Sequence, residues 1–237
     1  MSNRSFATLS DSENDLEPTL TRKVYESLRD EITTGILPPG MRLVRRAVGK
    51  RLGVSHLPVA EALFLLEQDG LVESAPLCGH RVRPLTLDVY ENELELREAL
   101  ECHVARRVAE RASDKDLSDI LPMARRLDGL MRKADPTATI GRELHMEFHL
   151  RLAHLSGMPL LERELRRAWL RKMMDITWLS ATRLMRIPEQ WHVQLVEAIA
   201  TRNPDIAERA ARGHVQYGTD TVRESLRGTT QNLQSLS

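Results

Sequence analysis

Apolar residues recur every three or four positions along most of the chain, and this spacing predicts a mostly α-helical protein. Val24, Leu28 and Ile32 set a first helix that starts near Thr19 or Thr21 and ends at Gly35. Leu43, Ala47, Val48 and Leu52 set a second, stopped at Gly53, a residue free to take the left-handed conformation that closes helices. Ser55 is a suitable N-cap for a third helix. Pro58 is tolerated in its first turn, and Val59, Ala62, Leu63 and Leu66 form an apolar stripe running to Asp69-Gly70. Two helices joined by so tight a turn make a helix-turn-helix, whose second helix fits the DNA major groove. Leu71–Ser74 and His80–Arg83, separated by Ala-Pro-Leu-Cys-Gly, read as a small β-hairpin, the wing.

Beyond Pro84 the pattern becomes wholly helical. Thr86 caps a long helix carrying Val89, Leu94, Leu96, Leu100, Val104 and Val108. Further helices are expected near 114–134, 138–156, 159–186, 189–202 and 205–227, separated at Asp135-Pro136, Gly157-Met158-Pro159, Ile187-Pro188 and Asn203-Pro204. Residues 1–18 lack periodicity and carry Arg4 against Asp11, Glu13, Asp15 and Glu17, a net charge of −3, so a disordered tail is expected there. The last ten residues, rich in Ser, Thr, Gln and Asn, are expected to fray. The division is therefore tail 1–18, winged helix-turn-helix 19–84, all-α bundle 85–227 and flexible tail 228–237.

Composition narrows the function. A chain of 237 residues with 41% hydrophobic and 29% charged residues is that of an ordinary globular protein. It has no run of eighteen apolar residues and no hydrophobic leader, so a cytoplasmic protein without a membrane span is expected. Cys78 and Cys102 have no metal-spaced partner and read as free thiols. Aromatic content of 4% argues against stacking platforms for single-stranded nucleic acid. The formal net charge is zero, yet Ile32 to Ala60 holds no acid and includes Arg42, Arg45, Arg46, Lys50 and Arg51, a patch suited to phosphates.

The order of residues is more specific than the pattern. Leu-Pro-Pro-Gly-Met-Arg-Leu (37–43), Leu-Gly-Val-Ser (52–55), Pro-Val-Ala-Glu-Ala-Leu (58–63), Leu-Glu-Gln-Asp-Gly-Leu-Val (66–72) and Gly79 resemble the winged helix-turn-helix of the GntR family of bacterial regulators. The resemblance implies binding of a double-stranded operator through Arg45, Arg46, Lys50, Arg51, Ser55, His56, His80 and Arg81. Two departures matter. His56 and Ala60 stand where the family usually has base-reading arginines, and Arg45 stands where an acid is common. Glu95–Glu101, Glu147-Phe148-His149, Ser156-Gly157 and Glu197-Ala198-Ile199 extend the resemblance to the helical FCD domain of the FadR-type subfamily. That architecture implies a homodimer on a palindrome.

Eight histidines include four at positions where many FCD domains bind a divalent metal: His145, His149, His192 and His214. His145 and His149 lie four apart, about 40° round one helix face, whereas His154 falls some 140° from His149 and outside the set. His192 and His214 each lie roughly 16 Å along a helix from the Asn203-Pro204 corner, so antiparallel packing sets them level. The subfamily normally places Asp at position 145. Four neutral nitrogens shift preference from hard cations toward zinc, nickel or copper, with zinc or nickel the expected cofactor unless His145 does not ligate. Arg97 either reaches a small carboxylate effector beside such a metal or pairs with Glu93 or Glu101 at helical spacing.

His145-Met-Glu147-Phe-His149 superficially matches the zinc-protease helix, but that chemistry needs Glu directly after the first His. Glu147 sits about 200° from His145 and points away. With no phosphate loop or nucleophile elbow either, catalysis is the weaker class. The expected function is a metabolite-responsive transcription regulator, a repressor released by a small organic acid. The alternatives are a metal-independent sensor of acyl chains or acyl-CoA and a metal-dependent enzyme.

Overall fold

The computed structural model describes residues 19–75, 79–133, 139–179 and 188–234. The expected tail at 1–18, the wing tip at 76–78 and the Asp135-Pro136 break lie outside them. The fold is mostly helical, with an N-terminal winged helix-turn-helix and a C-terminal helical domain.

Helix α1 (Leu20–Thr33) starts where Thr19 accepts a hydrogen bond from the Arg22 amide, and it buries Val24, Leu28 and Ile32. Strand β1 (Arg42–Leu43) follows, then α2 (Arg45–Leu52), closed by Gly53 at φ 67°, and α3 (His56–Gln68). Strands β2 (Val72–Ala75) and β3 (Gly79–Val82) complete the head. Leu43 is thus a strand residue and not the first of the second helix, and Ala47 on α2 is exposed. Ser55 occupies the N-cap position of α3 without a side-chain capping bond.

The wing is a three-stranded antiparallel sheet in the order β1-β3-β2. A two-residue strand carries no periodicity of its own, so β1 was invisible to the pattern. The predicted α3 stripe is the core: Val59, Ala62, Leu63 and Leu66 are fully buried with Leu28, Ile32, Leu71 and Val82.

The second domain comprises α4 (Leu87–Arg111), α5 (Asp114–Lys133), α6 (Thr139–Leu155), α7 (Pro159–Trp178), α8 (Trp191–Ala200), α9 (Pro204–Gln216) and α10 (Thr219–Gln234). Thr86 caps α4 as expected, accepting from the Val89 amide. Asn203 caps α9, accepting from the Asp205 and Ile206 amides. Two boundaries differ from expectation. Helix α7 ends at Trp178, with Leu179 extended, and 180–187 lies outside the described residues. The single helix expected over 205–227 is two, broken at Tyr217 and at Gly218, whose φ is 73°. The last of these runs to Gln234, into the stretch expected to fray.

Helix α4 lies along α9, and α5, α6, α7 and α8 close round a core that includes Val108, Leu127, Phe148, Leu165, Trp169 and Ile199. Helix α7 belongs to both cores. Trp169 sits in the helical domain, while Met174, one and a half turns on, is fully buried in the core of the head. Among the described residues no helix is long and apolar enough to cross a membrane.

Candidate functional site

On the head, Arg45, Arg46, Lys50, Arg51, Ser55, His56 and Arg81 are exposed. Arg51 pairs with Glu31 at 2.7 Å and Arg81 with Glu73 across the wing at 2.6 Å. His80 departs from expectation. Strand residues alternate faces, and β3 turns His80 and Val82 inward and Arg81 outward. His80 is therefore 6% exposed, 3.9 Å from Glu67, and cannot join Arg81 on the outer face in this arrangement. The outward surface of α3 includes residues that the pattern did not single out. Leu57, next to His56, is 68% exposed, and Phe64, two turns further along α3, is 57% exposed.

In the helical domain the four histidines meet. His145 and His149 project from α6, His192 from α8 and His214 from α9; one ring nitrogen of each lies within 4.8 Å of the others, and all four are buried. The rings of His192 and His214 stand 4.9 Å apart, the level pairing expected of that helical corner. Two are held by carboxylates. His149 Nδ1 lies 2.7 Å from Glu101 on α4, and His192 Nδ1 lies 2.6 Å from Asp128 on α5.

An ionised carboxylate only accepts, so each of these Nδ1 atoms carries the proton and each Nε2 keeps its lone pair for the cluster. Asp128 also accepts the backbone N–H groups of His192 and Val193, capping α8 from a neighbouring helix. Burial opposes ionisation of Glu101, but His149 and Arg97 hold it below the ordinary carboxylate range. Burial and the neighbouring imidazoles push His145 and His214 well below the usual histidine value, and burial outweighs Asp128 in lowering His192.

The Nε2 atoms of all four histidines, buried, have no hydrogen-bond partner among the described residues. Orphaned nitrogens facing one another are costly unless something takes their lone pairs. A divalent transition metal fits this donor set, and when bound it would supply Lewis acidity. Glu147, exposed, points away from the cluster, as the helical arithmetic requires.

Three of the histidines, His145, His149 and His214, line a cavity of about 110 Å³, with Arg97, Trp169, Lys172, Asp175, Trp191 and Arg142 also in its wall. Arg97 makes the helical-spacing ion pair, with Glu101, and also borders the cavity. Its Nε sits 3.1 Å from Glu101, and its Nη2 donates to the Val215 carbonyl at 3.2 Å. Burial pushes Lys172 down to about 7, Arg97 adding to it and Glu101 and Asp175 opposing. Burial likewise pushes Asp175 up to about 6, against the pull of Arg83.

The opposite end of the cavity is tied to the head. Asp175 accepts from buried Arg83, at the foot of the wing, at 2.7 Å. Glu93 pairs with Arg171 at 2.7 Å, and Arg171 donates to the Asp69 carbonyl after α3 at 3.1 Å. Arg142 and Thr177 both donate to the Thr33 carbonyl at the end of α1, the latter at 2.7 Å. Glu101, Asp128 and Asp175 were missed from the sequence because their roles depend on contacts between helices far apart in the chain.

A winged helix-turn-helix head on a helical domain that holds a histidine-lined cavity defines a DNA-binding protein as a class. Residues 20–82 match the bacterial regulatory proteins of the gntR family, and residues 93–217 match the FCD domain. The chain belongs to the GntR family of transcription regulators, with an FCD domain, and is a DNA-binding regulator rather than an enzyme. It is 26% identical over 222 residues to the HTH-type transcriptional repressor RspR of Escherichia coli K12, covering 90% of this chain and 93% of that one. It is also 26% identical to the Nta operon transcriptional regulator of Aminobacter aminovorans, covering 82% and 90%. Among solved structures, E. coli McbR/YncC shares the fold with a TM-score of 0.68 at 20% identity, over 87% of this chain and 98% of that one.

Proposed function

We propose that this regulator is a repressor that binds a palindromic operator as a homodimer and is released by a small organic acid held in the cavity beside a divalent transition metal. His145, His149, His192 and His214 would hold the ion, zinc or nickel. The observation that carries the reading is the cluster itself: four buried histidines within 4.8 Å, two of them fixed by carboxylates and three of them in the wall of a cavity whose far end grips the head. The repressor named among the relatives supports the sign of the response.

Arg45, Arg46, Lys50, Arg51 and Arg81 serve the phosphates, while Ser55, His56 and the exposed Leu57 and Phe64 face the bases. Apolar side chains there favour thymine methyl groups over the guanine edges that arginines read. Arg97 steers the acid. At about 110 Å³ the cavity accommodates roughly ten waters' worth of ligand, which weighs against an acyl-CoA. The test is metal analysis after mild purification, followed by fluorescence anisotropy on the promoter of the protein's own gene with and without added acids. Protein that takes up no zinc or nickel and gives no thermal shift with either would leave the histidines structural.

A further inference from the structure

The charges round the cavity do not balance. Three acids line it, and each is already engaged: Glu93 with Arg171 at 2.7 Å, Glu101 with Arg97 at 3.1 Å and His149 at 2.7 Å, Asp175 with Arg83 at 2.7 Å. Lys172 lines the same cavity, from the face of α7 one turn beyond Trp169, and has no hydrogen bond or ion pair among the described residues. Its ammonium stands 5.8 Å over the Trp169 ring, and the acids nearest it, Glu101 and Asp175, are the ones already held by Arg97, His149 and Arg83. A partly buried amine without an anion is a costly arrangement, and an incoming carboxylate removes that cost through a charge-assisted hydrogen bond.

Position completes the argument. The Trp169 ring that underlies Lys172 also stacks on His149, at 4.5 Å, and meets the edge of His145, at 4.7 Å. The unpaired cation and the histidine cluster therefore share one indole as a common floor, within reach of the two ends of a single small molecule. Leu94, Ile176 and Val222 give the wall apolar stretches, and Arg142, which also borders the cavity, already donates to the Thr33 carbonyl at the end of α1.

We infer that Lys172 is the effector-specificity residue of this cavity, pairing with a carboxylate of a small acid that turns a second oxygen-bearing end toward the histidines. A water occupies about 10–15 Å³ on this scale, so the cavity volume sets the ligand at on the order of ten non-hydrogen atoms. The ligand class is thus the small dicarboxylate or the similarly sized acid with a second oxygen donor. The inference rests on the reading of the cavity as the effector site, and goes beyond it by assigning the acid-binding residue.

The test uses the full-length protein loaded with zinc. Isothermal titration and thermal shift are run with succinate, glutarate, malate and phthalate, and with their monoamides. The wild type is expected to bind at least one diacid more tightly than its monoamide. Lys172→Met is expected to weaken that binding by at least about tenfold, as removal of one member of a buried charge pair does, while Lys172→Arg retains most of it. Circular dichroism and melting temperature report whether the variants are folded, and Lys172→Gln replaces Met should Met disturb packing. Equal affinity of wild type and both neutral variants for the diacid overturns the inference and leaves the effector cavity standing. Wild type that binds diacids and monoamides alike overturns it too. Wild type that binds none of them overturns both this inference and the effector reading.

Discussion

Glu101 and Asp128 decide which nitrogen His149 and His192 offer, so in the proposed metal site they would tune affinity without touching the ion. Partners of this kind typically cost 10- to 100-fold in affinity when removed. Asp128→Ala is expected to weaken zinc retention by about that factor in competition with a chelator, and His214→Ala to abolish it. His145→Asp should keep an ion but move preference toward harder cations, read by metal analysis after mixed-metal loading.

Lys172 sets a pH signature of its own. Arg97 and Glu101 on α4, Asp175 on α7, His145 on α6 and His214 on α9 are the charged and titratable groups round it. Its folded value of about 7 lies below the ordinary 10.5, so between those values the unfolded chain holds the proton more often and this group's contribution to stability rises with pH. A bound carboxylate raises the value again, so binding takes up a proton above about pH 7. Acid affinity is expected to be flat just below pH 7 and to fall by up to about tenfold per pH unit above it. Titration in buffers of different ionisation enthalpy measures the uptake, and Lys172→Met should remove it.

Helix α7 has two jobs at the scale of elements. One side packs Leu165 and Trp169 into the helical core, and the other inserts Met174 into the head and offers Asp175 to Arg83. Asp175→Asn leaves Arg83 buried with Glu93, at 3.9 Å, as its carboxylate neighbour among the described residues. Breaking such a pair costs about 3–5 kcal/mol, which denaturant unfolding should register as destabilisation of the head. Acid-driven DNA release should be blunted in the same variant while acid binding persists.

Within the head, Gly49 on α2 packs against the turn that leads into α3. A Cβ there would stand 2.9 Å from the Val54 carbonyl oxygen, a backbone atom that cannot swing away. Gly49→Ala is expected to destabilise the head by about 1–3 kcal/mol and to weaken DNA binding through the altered turn. Thermal unfolding and anisotropy would show both.

For the whole molecule, a chain of zero formal net charge whose acid-free stretch from Ile32 to Ala60 exposes Arg45, Arg46, Lys50 and Arg51 should bind duplex DNA with an affinity that falls linearly in log–log form with salt. Arg46→Ala should weaken binding to every duplex and reduce the salt slope by about one. Selection from random duplexes should recover a palindrome different from the half-site read by the usual family arginines, since His56 and Ala60 lack their bidentate contacts. Recovery of the usual half-site at full specificity would assign base reading to other residues.

Most of the helices in their order, the helix-turn-helix and the identity of the four histidines were legible from the sequence, because each rests on local periodicity or on residues whose chemistry travels with their type. Val59, Ala62, Leu63 and Leu66 point inward on α3 by helical arithmetic alone, and Gly53 stops α2 by its backbone freedom. Only the tertiary structure decided that His80 faces in while Arg81 faces out, because β1 pairing and strand register fix the face. Only it separated α9 from α10 at Tyr217 and Gly218, where the apolar spacing continues without interruption. The partners of the site were likewise invisible. Glu101 reaches His149, Asp128 reaches His192 and Asp175 reaches Arg83 across chain separations that no local pattern spans, and Lys172 stands out only once every neighbouring acid is seen to be taken.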